Sequence, residues 1–457
     1  MNQRLKNILK DQFDFKANKN QLQSLERLIF EIMRRDQVSQ KSILSSLKET
    51  ANIEKYSGSN KFSAIKNTLI ERRYPLTWAQ EKIDSKRLFL SQLRNPLDDN
   101  WQVRKVFKPV EIFVERSVKD SYLVENFRKR FPETPIKQIS RYSQYLKSNK
   151  FTLAELKKPI VFIIKEKWDF LKPCPCTKHH LRCGYWIFNL GFGCPYDCSY
   201  CFLQQYTNFP GILLPANIDE FFNKFDNFSK KLKERIRIGT GEFCDSLALD
   251  HITEYSKKLI PYFKTKNVIF ELKTKSANIK NILDIAPSKN IVISWSLNPK
   301  ALITSEEIGA ASLDERLAGA RILQTAGYGI GFHFDPIIHS NDWQHSYKHL
   351  IDRLYSDLNP GFAWISLGTL RCNRQLKTRA ELRFPKSNIF YSELLIGEDK
   401  KLRYNKLLRK EIYAKVLEWI RRYDKVTPIY LCMEDKELWN QVLKIDSAEK
   451  IEEYLIK

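Results

Sequence analysis

Residues 185–206 read YWIFNLGFGCPYDCSYCFLQQY, an apolar run that ends in three cysteines, Cys194, Cys198 and Cys201. The spacing is C-x3-C-x2-C, and the loop carries Gly191, Gly193 and Pro195. A loop this short can wrap its thiolates around one inorganic cluster. Four-iron clusters are normally held by one cysteine thiolate per iron, so three local thiolates leave one iron with open coordination sites. An open iron binds and activates a small molecule, whereas a fully ligated cluster chiefly carries electrons. Taken alone, the spacing also fits a zinc site short of one ligand, although zinc sites usually pair C-x2-C units.

Downstream of this loop the chain alternates. Strand candidates are YWIFNLG (185–191), IRIGT (236–240), VIFELKT (268–274), IVISWSLN (291–298), GIGFHFDPI (329–337) and FAWISLGTL (362–370). Helical stretches lie between them, such as 219–234 and SLDERLAGARILQTAG (312–327). The latter opens on the capping-box pair Ser312 and Glu315 and closes at Gly327. Strands alternating with helices predict parallel βα units. In βα barrels the chemistry gathers at the C-terminal ends of the strands, and Glu242, Lys273, Ser296, Asn298, His333 and Asp335 collect there.

Four further motifs carry polar chemistry. In IGTGEFCDSLALDH (238–251), Gly239 and Gly241 allow close backbone approach to a ligand, and Glu242 can accept hydrogen bonds from an ammonium group; a plain βα turn with a helix-starting acid looks the same. Lys273 closes its strand as a point charge suited to a carboxylate. Ser296 and Asn298 in SWSLNP offer hydrogen bonds, as ordinary turn formers also do. GFHFDPIIHSNDW brings His333, Asp335 and His339 toward one mouth, either in a structural role or facing a ligand. Upstream, KPCPCTKHHLRCGYW adds Cys174, Cys176, His179, His180 and Cys183. That density fits zinc, a second cluster or a structural cap, and C-x-C is a poor spacing for a tetrahedral ion.

C-x3-C-x2-C with Tyr200 and Phe202 flanking its last cysteine resembles the radical S-adenosylmethionine (SAM) superfamily. Within it, residues from about 107 to about 420 are similar to the spore photoproduct lyase family of DNA repair enzymes. The resemblance implies an α/β fold, an incomplete (β/α)6 barrel with a helical N-terminal extension. It implies a 4Fe-4S cluster on Cys194, Cys198 and Cys201, with SAM contacted by Tyr200, Gly241, Glu242, Lys273, Ser296 and Asn298. The implied reaction is reductive cleavage of SAM, fed by an external electron donor, then hydrogen abstraction from a thymine-derived DNA lesion and carbon–carbon bond cleavage. Two positions depart from the family pattern. Family members carry a hydrogen-donating cysteine three residues before the aspartate that matches Asp245; here Glu242 stands there, and the nearest thiol is Cys244. Of two tyrosines flanking the last cluster cysteine, Tyr200 is kept and the second is Phe202. Tyr200 and Cys244 are therefore the candidate catalytic residues. The departures leave room for another substrate, RNA or a peptide. A third reading is a nucleic-acid-binding protein whose cluster is structural or senses redox state.

Charge speaks about partners rather than fold. Lys and Arg number 77 against 53 Asp and Glu, a net charge of +24. Nucleic acid is the polyanion that such a surface meets through its phosphates; a solvated Lys-rich surface is the plain alternative. Basic residues interleave with aromatics in 114–131 and 400–423, as in surfaces that hold phosphates and stack bases and in ordinary amphipathic helices. The 9 cysteines cluster as metal ligands do in a reducing cytoplasm, not as a disulfide framework. The N-terminal residues show no signal-peptide core and no run of ~18 apolar residues occurs, so the expectation is a cytoplasmic protein without a membrane partner. Leu22, Leu25, Leu28, Ile29 and Ile32 share a helix face, and the short helices around them loosely suggest a winged helix or another small bundle. The expected organisation is a helical extension (1–105), an α/β lead-in with the Cys/His cluster (106–183), the partial barrel (184–375) and an α/β tail (376–457).

Overall fold

The computed structural model describes residues 3–50, 53–97, 106–149, 151–152, 158–167, 170–177, 180–206 and 211–456. The chain forms two compact units. The smaller comprises Met1–Leu97, Ile338–Asn341 and Thr369–Glu411; the larger comprises Asp98–Ile337, Asp342–Gly368 and Ile412–Lys457. Sequence reading divides the chain into consecutive segments, whereas the units interleave. An apolar helix face must be buried against a partner, and the partner of the N-terminal helices lies some 300 residues on, where composition gives no sign of it.

In chain order the strands are β1 (Glu111–Glu115), β2 (Ile136–Ile139), β3 (Ile160–Ile164), β4 (Leu171–Pro173), β5 (Tyr185–Phe188), β6 (Asp197–Cys198), β7 (Ile212–Pro215), β8 (Ile236–Gly239), β9 (Val268–Thr274), β10 (Ile291–Ser296), β11 (Glu307–Ile308), β12 (Gly329–Ile337), β13 (Trp364–Thr369), β14 (Arg371–Cys372), β15 (Leu394–Ile396), β16 (Leu402–Tyr404) and β17 (Ile429–Leu431).

The principal sheet of the larger unit has the order β17-β13-β12-β10-β9-β8-β5-β4. The six predicted strands, β5, β8, β9, β10, β12 and β13, are its centre in chain order. Tyr185 pairs Arg237, Arg237 pairs Ile269, Ile291 pairs Phe270 and Val292 pairs Gly329, all in parallel register. β10 and β13 are buried along their whole length, as strands covered on both faces are. Two strands extend the edges: β17, from the expected α/β tail, runs parallel beside β13, and β4, unforeseen, runs antiparallel beside β5. The sheet is strongly curled. β17 and β8 are five positions apart, which at ~4.8 Å per step would separate them by about 24 Å in a flat sheet. Yet the Arg237 guanidinium lies 5.0 Å from the Tyr430 ring centre and 5.1 Å from that of Trp364. The (β/α)6 partial barrel expected from the sequence is thus present.

The lead-in strands do not form a sheet by themselves. Their order is β2-β1-β3-β7, so the sheet is completed by Ile212–Pro215, just beyond the cysteine loop, with Val161 opposite Ile212. Phe113 stacks on Phe162 at 5.1 Å beneath it.

In the smaller unit, helices Gln3–Phe13, Lys19–Asp36, Gln40–Thr50 and Gly58–Arg73 bury a common core that includes Leu22, Leu25, Leu28, Ile29, Ile32 and, from far along the chain, Leu395. β14, β16 and β15 form its three-stranded antiparallel sheet. Among the described residues up to Leu97 there is no strand, so the suggested winged helix gives way to a helical bundle. Glu31, fully buried, pairs with Arg27 and Arg73 at 2.8 Å and with Lys377 at 2.6 Å, stitching helices to the 369–411 segment. No described helix is long and apolar enough to cross a membrane.

Candidate active site

The cysteine loop is fixed on three sides. Gly191 and Gly193 have φ of +149° and +91°, which favour glycine. A side chain there would strike the backbone of the neighbouring segment, Leu213 O at 2.4 Å and Gly211 O at 2.6 Å. The loop can lie this close because Phe192 and Leu213 exchange backbone hydrogen bonds of 3.0 and 2.7 Å. Gly193 N–H donates to Phe243 O at 2.9 Å, and Phe192 stacks on Phe243 at 4.4 Å. β6 then pairs antiparallel with β11, Cys198 opposite Glu307. Cys198 is buried; Cys194 and Cys201 are partly exposed. Burial pushes the Cys198 thiol well up, and the neighbouring Glu307, Cys201 and Cys194 add to it against the opposing charge of Lys275.

Side chains two apart on a strand share a face, and the barrel interior can be read layer by layer on that period. Glu271 on β9 accepts hydrogen bonds from Tyr185 Oη, from Ser294 Oγ at 2.5 Å and from His333 Nε2 at 2.7 Å. These come from β5, β10 and β12, so the layer is internal. Burial alone would raise the Glu271 carboxyl, but these partners hold it at about 2. Burial and Lys273 lower His333 against the opposing effect of Glu271, with which its ring shares a hydrogen bond. One layer nearer the strand ends are Gly241, Lys273, Ser296 and Asp335. Gly241 lets the turn after β8 press on Lys273, to within 3.2 Å of its Cβ for an added methyl. The Lys273 side chain makes no hydrogen bond or ion pair among the described residues, so a half-buried ammonium stands in this layer unpaired.

At the top, Glu307 gathers the loop and the strands. It is fully buried and accepts from Tyr200 Oη, from Asn298 Nδ2 at 3.1 Å, from Lys275 Nζ at 3.2 Å and from Arg316 at 2.5 Å. Burial raises its carboxyl, and the two cations and two donors outweigh that and hold it at about 2. Asn298 is engaged at both ends, accepting from Tyr347 Oη at 2.7 Å. Ser199 Oγ donates to the adjacent Glu306. Sequence reading did not find Glu307, Lys275 or Arg316. The acid pair in TSEEIG was visible, but nothing in its spacing points to a tyrosine 107 residues earlier.

The model of the family described as "Spore photoproduct lyase" matches residues 115–416. The chain belongs to the spore photoproduct lyase family. Curated relatives include the spore photoproduct lyases of Bacillus subtilis, 28% identical over 35% of this chain and 48% of that protein, and of a Geobacillus species, 28% identical over 45% and 62%. The chain thus matches about half to three-fifths of those relatives' length. Among solved structures, a mutant spore photoproduct lyase superposes with a TM-score of 0.62 at 22% identity, covering 71% of this chain and 99% of that one. Another, of equal TM-score, is described with bound AdoMet and dinucleoside spore photoproduct. At that identity the likeness carries the fold alone.

The positions that depart from the family pattern have clear surroundings. Glu242 is ion-paired with Lys172 at 3.5 Å, and that ammonium also covers the Phe243 ring at 4.2 Å. Phe202 stands edge-on to Phe243 at 6.2 Å. Cys244 turns back on its own turn, its thiol donating to Thr240 O at 3.8 Å. Burial, helped by Asp245, raises that thiol to about 12, against a backbone hydrogen bond from Leu190. None of these contacts is a cluster cysteine. Asp245 is structural, accepting from Thr274 Oγ1 and Lys275 N at 2.6 Å each.

His339, expected near His333, belongs to the other unit, where its backbone N–H donates to Tyr404 Oη at 3.0 Å. In the Cys/His segment, Thr177 and Leu181 contact Met433 and Glu434 after β17, and Cys183 O accepts from Arg237 at 3.0 Å. His179 lies outside the described residues. Among the described residues no three Cys, His, Asp or Glu side chains converge on one metal ion. A four-iron cluster does not ask that of its thiolates, each of which meets a different iron. Three neighbouring thiols on a locked loop, with the unpaired ammonium of Lys273 in the barrel, fit a cluster that bears an anionic ligand.

Proposed function

We propose that this chain is a radical SAM enzyme that abstracts hydrogen from a nucleic-acid lesion, a thymine-derived dimer in DNA, and cleaves a carbon–carbon bond. The observation that carries the reading is Lys273, whose ammonium makes no hydrogen bond or ion pair among the described residues, in a barrel whose strand ends lead to the three-thiol loop. Family membership and a relative described with AdoMet and dinucleoside spore photoproduct support it. With SAM on its open iron, a four-iron cluster supplies a 5′-deoxyadenosyl radical on one-electron reduction by an external donor. Cys194, Cys198 and Cys201 would hold that cluster. Lys273 would pair the SAM carboxylate, with Gly241 and Glu242 toward its amino group and Ser296 as a hydroxyl partner. Tyr200 and Asn298 act through Glu307, which fixes the loop rather than leaving their polar atoms free for ligand.

A second reading, radical SAM chemistry on RNA or a peptide, draws on Glu242 and Phe202. A carboxylate carries no hydrogen atom to return to a product radical, and Cys244 is turned away. The test is anaerobic: reconstitute with iron and sulfide, reduce, add SAM and assay 5′-deoxyadenosine, with Cys198→Ala as control. Product that depends on Cys198, and restoration of two intact thymines within a lesion-bearing oligonucleotide, uphold the proposal. Cofactor cleavage without lesion turnover moves the weight to the second reading. A formed cluster that yields no 5′-deoxyadenosine sinks both.

A further inference from the structure

The charge of this chain is not evenly spread. The smaller unit holds 31 Lys and Arg against 15 Asp and Glu; the larger unit, more than twice its length, holds 46 against 38. Two-thirds of the net positive charge thus sits on the unit that contains the N-terminal helices, which precede the family match at residue 115. Burial takes up part of the surplus: Arg27, Arg73 and Lys377 converge on the one carboxylate of Glu31, and Lys61, Arg383, Arg403 and Arg409 are buried as well. What remains is at the surface, where it acts on partners.

Part of that surplus surrounds a cleft of about 180 Å³ between helix Lys19–Asp36, the extended stretch 92–96 and helix Arg374–Arg383. Phe30, Arg34, Arg94, Thr378, Glu381 and Pro385 line it. The Glu381 carboxylate is already engaged by Arg27 at 2.9 Å, so the cleft is not acidic. Arg34 is pinned as a rim cation, donating to Pro385 O at 2.6 Å. Three other cations flank the cleft: Arg94 in its wall, Arg374 one helical turn before Thr378 and so on the same face, and Lys386 directly after Pro385. All three are exposed, and none of their charged side-chain groups makes a hydrogen bond or ion pair among the described residues. Partnerless cations around a concave, non-acidic surface suit the phosphates of a nucleic-acid backbone, which position a protein without reading sequence.

We propose that this cleft is a second nucleic-acid contact, in which Arg94, Arg374 and Lys386 meet DNA phosphates independently of any lesion. It rests on the reading of the chain as a DNA-acting enzyme and extends it. The test needs neither cluster nor lesion. Binding of the full chain to an undamaged, labelled duplex is followed by anisotropy over a range of salt, for the wild type and for the triple variant Arg94→Glu, Arg374→Glu, Lys386→Glu. The control is Lys233→Glu, Lys264→Glu, Lys289→Glu, exposed residues that precede β8, β9 and β10 and change the net charge equally. Loss of three phosphate contacts should flatten the slope of log K against log salt by about 2.7 and weaken binding at low salt at least about tenfold, while the control keeps its slope and melting temperature matches wild type. Equal loss in both variants, or no loss in the first, overturns the proposal. Retained DNA binding with loss only of binding to anionic phosphatidylglycerol vesicles also overturns it, in favour of a membrane surface. Because undamaged DNA is the probe, absent lesion turnover with intact cleft-dependent binding would sink the proposed reaction and leave this contact standing.

Discussion

Replacing Glu307 by Gln tests whether the cysteine loop is held by charge. The carboxylate is fully buried, as is Arg316, and Lys275 is partly buried. The amide keeps the shape but removes the counter-charge of two cations and presents a donor where only donors converge. Breaking a buried ion pair from one side costs about 3–5 kcal/mol. The titration gives an independent figure. A carboxyl held at about 2 against an ordinary 4.5 is worth about 3 kcal/mol at 1.36 kcal/mol per unit. The expected loss at pH 7 is therefore about 3 kcal/mol, read from urea denaturation as a lower midpoint at nearly constant slope. The sign with pH is fixed. Because the folded value is depressed, the stabilisation is whole above pH 4.5 and fades as pH falls toward 2, so the wild-type and variant curves should converge in acid. A loss below about 1 kcal/mol at pH 7, or a gap undiminished at pH 3, would refute the argument. Reconstituted iron content should fall in the same variant, since β11 carries the loop.

Lys273→Met should weaken SAM binding by roughly 10–100-fold, the worth of one charged hydrogen bond, with the cluster absorbance unchanged; calorimetry on the reconstituted protein decides it. Cys244→Ser should leave iron content and 5′-deoxyadenosine formation within about twofold, because its thiol faces Thr240 O, and a tenfold loss would restore it as a catalytic candidate. Glu31→Ala strands Arg27, Arg73 and Lys377 in the core of the smaller unit and should cost about 3–5 kcal/mol, visible as a lower melting temperature, whereas exposed Glu49→Ala should not.

The sequence by itself determined whatever is written in local period and spacing. C-x3-C-x2-C places three thiols on one loop because neighbours in a short loop cannot be far apart. The six strand-and-helix alternations determined the centre of the principal sheet, because parallel βα units leave few alternatives, and the strand-end position of Lys273 followed with them. Tertiary structure alone decided the rest. Glu307 reaches Tyr200 only because β11 pairs with β6, Leu395 completes a core begun at Leu5, and Ile212–Pro215 finishes a sheet begun at Glu111. Glu242 meets Lys172, 70 residues earlier, through the direction in which one turn points. Such contacts join residues distant in the chain by burial and charge, which act through space and leave no period in the sequence.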